Sequence, residues 1–169
     1  MGYDRAMRRP AGFTWIEMLF VLGVIALLSL MAIPALRDRA LRKQVEEGLA
    51  LADVAKPGVQ AVWAATGELP ADNNAAGVPP REKIVGSLVK DVNVDHGAIT
   101  VTFGNNASKA LEGKRVTLRP ALVPDERMVP IAWLCHGIGV PSGMQVRGND
   151  ETDVAPQWLP VDCRGAPAK

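Results

Sequence analysis

Glu17 is the single charged side chain in a run of 21 largely apolar residues, Phe13 to Ile33. A carboxylate inside such a run costs about 2.5 to 3.5 kcal/mol on membrane-insertion scales, so it marks a place where a partner is wanted. The other residues suited to chemistry lie far downstream: Cys135 and Cys163, His96 and His136, and a scatter of lysines and arginines. The cysteines are too far apart for Cys-x-x-Cys redox chemistry, and with the two histidines they lack the spacing of a zinc site. No Ser/His/Asp set, paired-acid cleft or metal cluster emerges. The chain is expected to be no enzyme and to carry no cofactor.

Charge narrows the reading further. The chain has 19 basic and 18 acidic side chains. Its first twelve residues hold Arg5, Arg8 and Arg9 against Asp4, so the remainder carries 19 − 3 = 16 basic and 18 − 1 = 17 acidic groups. A near-neutral body has no bulk attraction for nucleic acid. Lys109, Lys114, Arg115, Arg119, Arg147 and Arg164 flank the later segments and form a candidate basic surface for extracellular DNA. The opposing view is that such scattered charges are a solvated face.

The elements emerge from period and punctuation. Twenty-one residues at about 1.5 Å each give a helix of roughly 31 Å, the thickness of a bilayer core of about 30 Å. Arginines before the run keep its start in the cytoplasm and send the C-terminal part of the chain outward. In an oxidising compartment the two cysteines read as one disulfide, Cys135 to Cys163. It closes a loop of about 29 residues, worth about 3 to 4 kcal/mol in the chain-entropy account. A secretory signal peptide has a shorter apolar region, of about 7 to 15 residues. A plain signal anchor fits the length but gives Glu17 no purpose.

After the run, Leu41, Val45, Leu49, Ala52, Val59 and Val62 recur at helical spacing to about residue 65. Pro34 is expected to kink or interrupt this spine, and Pro57-Gly58 to do so near its far end. The alternative is a helix that stops at Lys56 and restarts. Residues 67–87 read as a connecting loop, with Pro79-Pro80 opening one helical turn. From Leu88 the period becomes two, giving a hairpin about Asp95-His96-Gly97, a third strand at Val116 and Leu118, and a fourth through Val129, Ile131 and Trp133 that ends at Cys135. The fold class is α+β: a long N-terminal helix packed on a four-stranded antiparallel meander over 88–135, followed by a disulfide-bounded region over 136–169.

Gly12-Phe13-Thr14-Trp15-Ile16-Glu17, the apolar helix after it and Pro34 at its end together resemble the processing motif of type IV prepilins. Trp15 stands where leucine is usual. Trp133-Leu134-Cys135 and Trp158-Leu159-Pro160-Val161-Asp162-Cys163-Arg164 are similar to the two ends of the C-terminal disulfide loop of type IVa pilins. The likeness extends over essentially the whole chain, except the loop Ala71 to Pro80.

The resemblance implies that residues 1–12 are a leader cut after Gly12 by a prepilin peptidase, which also N-methylates Phe13. Residues 13–33 then anchor the subunit in the inner membrane, with 34–66 continuing the helix. The assembly machinery polymerises it with identical or related subunits into an extracellular filament. Glu17 would set the stagger between neighbours by meeting the Phe13 amine of the next subunit; the competing reading has it merely resting near the cytoplasmic interface. Adhesion, twitching motility and DNA uptake are the implied uses of the filament. A minor pilin that binds DNA or a host surface, and a type II secretion pseudopilin, are the alternatives.

Overall fold

The computed structural model of the protein describes residues 12–165, apart from the side chains of Met31, Pro34 and Ala35. All of the expected leader except Gly12 lies outside the described residues. The chain divides into two compact units, one ending at Arg37 and the other beginning at Asp38. The boundary falls within the first helix, α1 (Trp15–Ala50), which runs without interruption through position 34. The first unit is helix from Trp15 onward. Among the described residues no helical stretch is long and apolar enough to cross a membrane.

The second unit packs helix against sheet. A 3-10 turn at Leu51–Val54 comes after α1, and α2 (Lys56–Thr66) begins with Pro57 in its first turn. The break therefore precedes the proline instead of falling on it. Proline has no N–H to give the carbonyl four residues back and its ring crowds that carbonyl, so the preceding turn loosens while Pro57 starts the next helix. The apolar stripe keeps its phase across the break. Val45, Ala52 and Val59 are buried as their spacing requires, Trp63 continues the stripe four residues on, and Val62 beside it is half-buried. Gly67 closes α2 in the left-handed region at φ 75°, its N–H on the Trp63 carbonyl.

The strands are β1 (Val89–Asp95), β2 (Ala98–Phe103), β3 (Arg115–Leu122), β4 (Ala132–Leu134) and β5 (Gln145–Val146). The first four form an antiparallel meander in sequence order, as the alternation predicts. His96 and Gly97, at φ 47° and 79°, make the two-residue turn between β1 and β2. The expected fourth strand is shorter than predicted, starting at Ala132, two residues past Pro130. Val92, Val94, Ile99, Val101, Phe103, Val116 and Leu118 face the helices and are buried. Gly48 permits the close approach of α1, since a Cβ there would run into the Phe103 ring.

Two segments read as loop are bound tightly to the sheet. Asn73, from the stretch Ala71 to Pro80, accepts the Val94 N–H at 2.7 Å and donates to the carbonyls of Val92 at 3.1 Å and Pro79 at 3.0 Å. It thereby covers the open edge of β1, which would otherwise invite pairing with another chain. The second segment comprises β5 and the residues after it. Ala121 pairs with both Ala132 and Val146, which places β4 and β5 on opposite edges of β3. The pairing of β2 with β3 ends at Leu118. Pro120 has no N–H to offer, and its carbonyl takes the Arg147 N–H at 2.9 Å.

Candidate functional site

Three groups of residues carry the functional expectations: the start of α1, the disulfide region and the basic set. At the start of α1, Thr14 is the residue just before the helix. Its hydroxyl accepts the Glu17 N–H at 3.3 Å, and the Glu17 carboxylate accepts the Thr14 N–H at 3.5 Å. This is a reciprocal capping box, satisfying two backbone donors that a helix start leaves unpaired. The carboxylate also sits at the positive end of the helix dipole. Glu17 thus has a partner within its own chain, a role that Thr-x-x-Glu spells out and that the reading of a lone misplaced acid missed. Gly12 and Phe13 directly precede this cap and are exposed, Phe13 to 74%. Trp15 at 81%, Ile16 at 76%, Phe20 and Leu30 share that exposure. Nothing is described of the Pro34 side chain at the expected kink.

Cys135 and Cys163 are bonded, as expected, with Cα atoms 4.7 Å apart, and both are buried. The enclosed residues do more than hang from the bond. From β5 the chain passes Gly148 against Ala98 at the start of β2, then crosses the outer face of the sheet. It next runs along the β4 edge of β3. There Asp153 donates its N–H to the Arg115 carbonyl at 3.0 Å, and Thr152 accepts the Thr117 N–H at 3.0 Å. Glu151 donates to the Thr117 hydroxyl at 3.2 Å. Thr100 and Thr117, on the outer face of β2 and β3, are consequently buried and share a hydrogen bond of 3.0 Å. The segment is a strap that converts an expected solvent face into a second covered one.

The strap also disposes of much of the basic set. Arg115 meets Glu151 at 2.9 Å, Lys114 meets Asp153 at 3.8 Å and Arg119 meets Asp150 at 3.9 Å. Arg164 donates to the carbonyls of Leu159 and Gln157, and Arg147 to the Gln145 side chain. Lys109 is exposed between β2 and β3. Carboxylates thus pair with three of the six. Asp150 is the hub of the strap. Partial burial pushes its carboxyl up, but hydrogen bonds from the Thr152 hydroxyl and N–H and from His136, with the His136 charge, outweigh this. The group is left below the ordinary carboxylate value.

The end of the disulfide region returns to the helix. Trp158 donates its indole N–H to Asp38 at 2.9 Å, and Arg42 donates to the Gln157 carbonyl at 2.9 Å. Each partner is more than a hundred residues from the other in sequence, so no local pattern announces the contact.

Comparisons with known proteins agree with this architecture. A family profile described as pilin (bacterial filament) matches residues 42–164. The chain is 32% identical over 164 residues to the type IV major pilin protein PilE1 of Neisseria gonorrhoeae, covering 92% of this chain and 87% of that protein. It is 35% identical over 166 residues to a fimbrial protein of Neisseria meningitidis serogroup A, covering 93% and 91%. It is also 35% identical over 111 residues to the fimbrial protein EcpC of Eikenella corrodens, covering 64% and 72%.

Proposed function

This chain belongs to the type IV pilin family, and from that premise we propose that it is a structural subunit of a bacterial surface filament, built through its N-terminal helix. The observation that carries the reading is the exposure of Phe13, Trp15, Ile16, Phe20 and Leu30, each more than seven-tenths open. Covering a large apolar side chain is worth about 1.5 to 3 kcal/mol, so these five alone represent roughly 10 kcal/mol of burial that the chain does not supply to itself. A bilayer takes up that surface before assembly, and neighbouring helices take it up afterwards.

In this reading a prepilin peptidase cuts between Gly12 and Phe13 and methylates the new amine. The subunit then waits in the inner membrane with residues 38–165 in the periplasm, until the assembly machinery adds it to an extracellular filament. The cut places the new amine one residue before the Thr14 cap. Glu17, already holding the Thr14 N–H, keeps acceptor capacity for a neighbour's Phe13 amine, so capping and registry are compatible uses of one carboxylate. Adhesion, twitching motility and DNA uptake remain the family's uses of such a filament. DNA capture by this subunit finds less support, because phosphate contact needs unpaired clustered cations.

Mass spectrometry of sheared surface filaments tests the proposal. The expected product begins with N-methylated Phe13; filaments built from chains that retain Met1 overturn it. Glu17→Ala is expected to leave the protein folded while filament yield falls at least about tenfold, since an unmatched amine in an apolar core is costly. An unchanged yield removes the registry role.

A further inference from the structure

Arg42 and Arg164 converge on one acceptor. Each donates from Nη2 to the Gln157 carbonyl at 2.9 Å, so the two nitrogens lie within about 6 Å of each other, where like charges repel. Among the described residues neither guanidinium forms an ion pair. Arg164 commits its Nε to the Leu159 carbonyl, and Arg42 Nε is closed off from solvent, so both residues face a ligand with their Nη groups. Gln157 is exposed. A carbonyl oxygen is neutral and leaves the repulsion standing, whereas an anion bridging the Nη groups replaces it with charge-assisted hydrogen bonds.

We propose that this pair binds the phosphate of an anionic phospholipid headgroup before assembly, resting on the reading above that residues 13–33 lie in the inner membrane. Arg42 is nine residues past Ile33 on the same helix, α1, about 14 Å along it at 1.5 Å per residue. Helix side chains lean towards the N-terminus, here the membrane end. A long guanidinium side chain leaning that way reaches the headgroup layer, which extends about 5 to 8 Å beyond the hydrocarbon. The neighbouring charges leave room for one anion. Asp38 lies one turn before Arg42, with its Oδ1 engaged by the Trp158 indole at 2.9 Å. Glu46, one turn after Arg42, lines a separate cleft with Asp162 and Lys56. His136 shares a cleft with Gln157 and Arg164, its Nδ1 held by Asp150. Arg39 and Lys43 are exposed on α1 and add to the attraction for an anionic leaflet. Two guanidiniums are too few for the run of phosphates on duplex DNA but suffice for one headgroup.

Native mass spectrometry of the full chain, released from nanodiscs of equal parts phosphatidylglycerol and phosphatidylcholine, provides the test. Phosphatidylcholine carries the same phosphate beside a cationic choline, which the two arginines repel. The expected result is preferential retention of phosphatidylglycerol. Arg42→Gln and Arg164→Gln should each reduce it at least about tenfold, the loss expected for a hydrogen bond to a charged group. Glutamine keeps an amide donor for the Gln157 carbonyl. Lys43→Gln removes an exposed charge from the same helix and should leave retention unchanged. Insertion into nanodiscs of phosphatidylcholine alone tests the membrane reading separately. A chain that fails to insert overturns both; a chain that inserts but retains the two lipids equally overturns the headgroup site alone. An equal loss in Lys43→Gln, or unaltered retention in both arginine variants, also overturns it. So does displacement of the lipid by inorganic phosphate at constant ionic strength, which marks a free-anion site. A dimer that either arginine variant dissociates assigns the pair to a carboxylate of a second copy instead.

Discussion

Phe20 and Phe103 are the same side chain in opposite circumstances. Phe20 is 73% exposed on α1, whereas Phe103 is fully buried against Gly48 and Val89. The region around Phe103 closes on itself through helix, sheet, strap and disulfide. The region around Phe20 is satisfied only along its backbone, by helix hydrogen bonds and the Thr14–Glu17 cap. Stability is therefore written in one of these parts of the chain, and the proposed assembly surface in the other. A residue's apolarity does not say which of the two it serves; its covering does.

Substitutions can break that contrast. The largest effect is expected from Phe103→Ala, a loss of about 3 to 5 kcal/mol in the unfolding of residues 38–165, from lost transfer energy and an unfilled cavity. Chemical denaturation of the detergent-solubilised chain would show it. Cys135→Ser with Cys163→Ser should cost about 3 to 4 kcal/mol in the same measurement. A much smaller loss would show that the strap's hydrogen bonds hold the segment by themselves. Asn73→Ala strands the Val94 N–H and Val92 carbonyl on the β1 edge and should cost about 1 to 3 kcal/mol, with concentration-dependent aggregation as a second readout.

Acid provides a smaller probe. Asp150 is depressed in the folded protein, so its contribution is fully present above the unfolded carboxylate value of about 3.9 and is lost as pH falls through the lower folded value. Asp150→Asn should flatten the part of the acid unfolding curve lying below about pH 3.9. The smallest effect belongs to Phe20→Ser, which should shift the unfolding of residues 38–165 by no more than about 0.5 kcal/mol. It removes the same ring as the Phe103 change. A shift comparable to that of Phe103→Ala would end the separation of the two regions.

The legible part of the sequence was local. Period gave the helices, alternation gave β1 to β3, and Asp95-His96-Gly97 gave the hairpin. The front motif and the two cysteine flanks were contiguous and pointed to the family. Thr14-x-x-Glu17 was equally contiguous and equally readable, but the charge of Glu17 drew attention away from its backbone role. The break before Pro57 was misplaced because the proline's demand falls on the residues preceding it. The strap was out of reach for a different reason. Its contacts join Asp153 to Arg115 and Thr152 to Thr117, and they depend on backbone positions that no residue type signals. Asn73 was hidden in the same way, one asparagine among several, distinguished only by the strand edge beside it.

The contacts of Trp158 with Asp38 and of Gln157 with Arg42 have a mechanical consequence. Tension travelling up α1 enters the folded domain at Asp38. Within about one helical turn it meets the segment that the Cys135–Cys163 bond ties to β4. The domain's first and last segments are thus clamped to each other where the load arrives. Force arriving there is shared between the helix and the covalent staple.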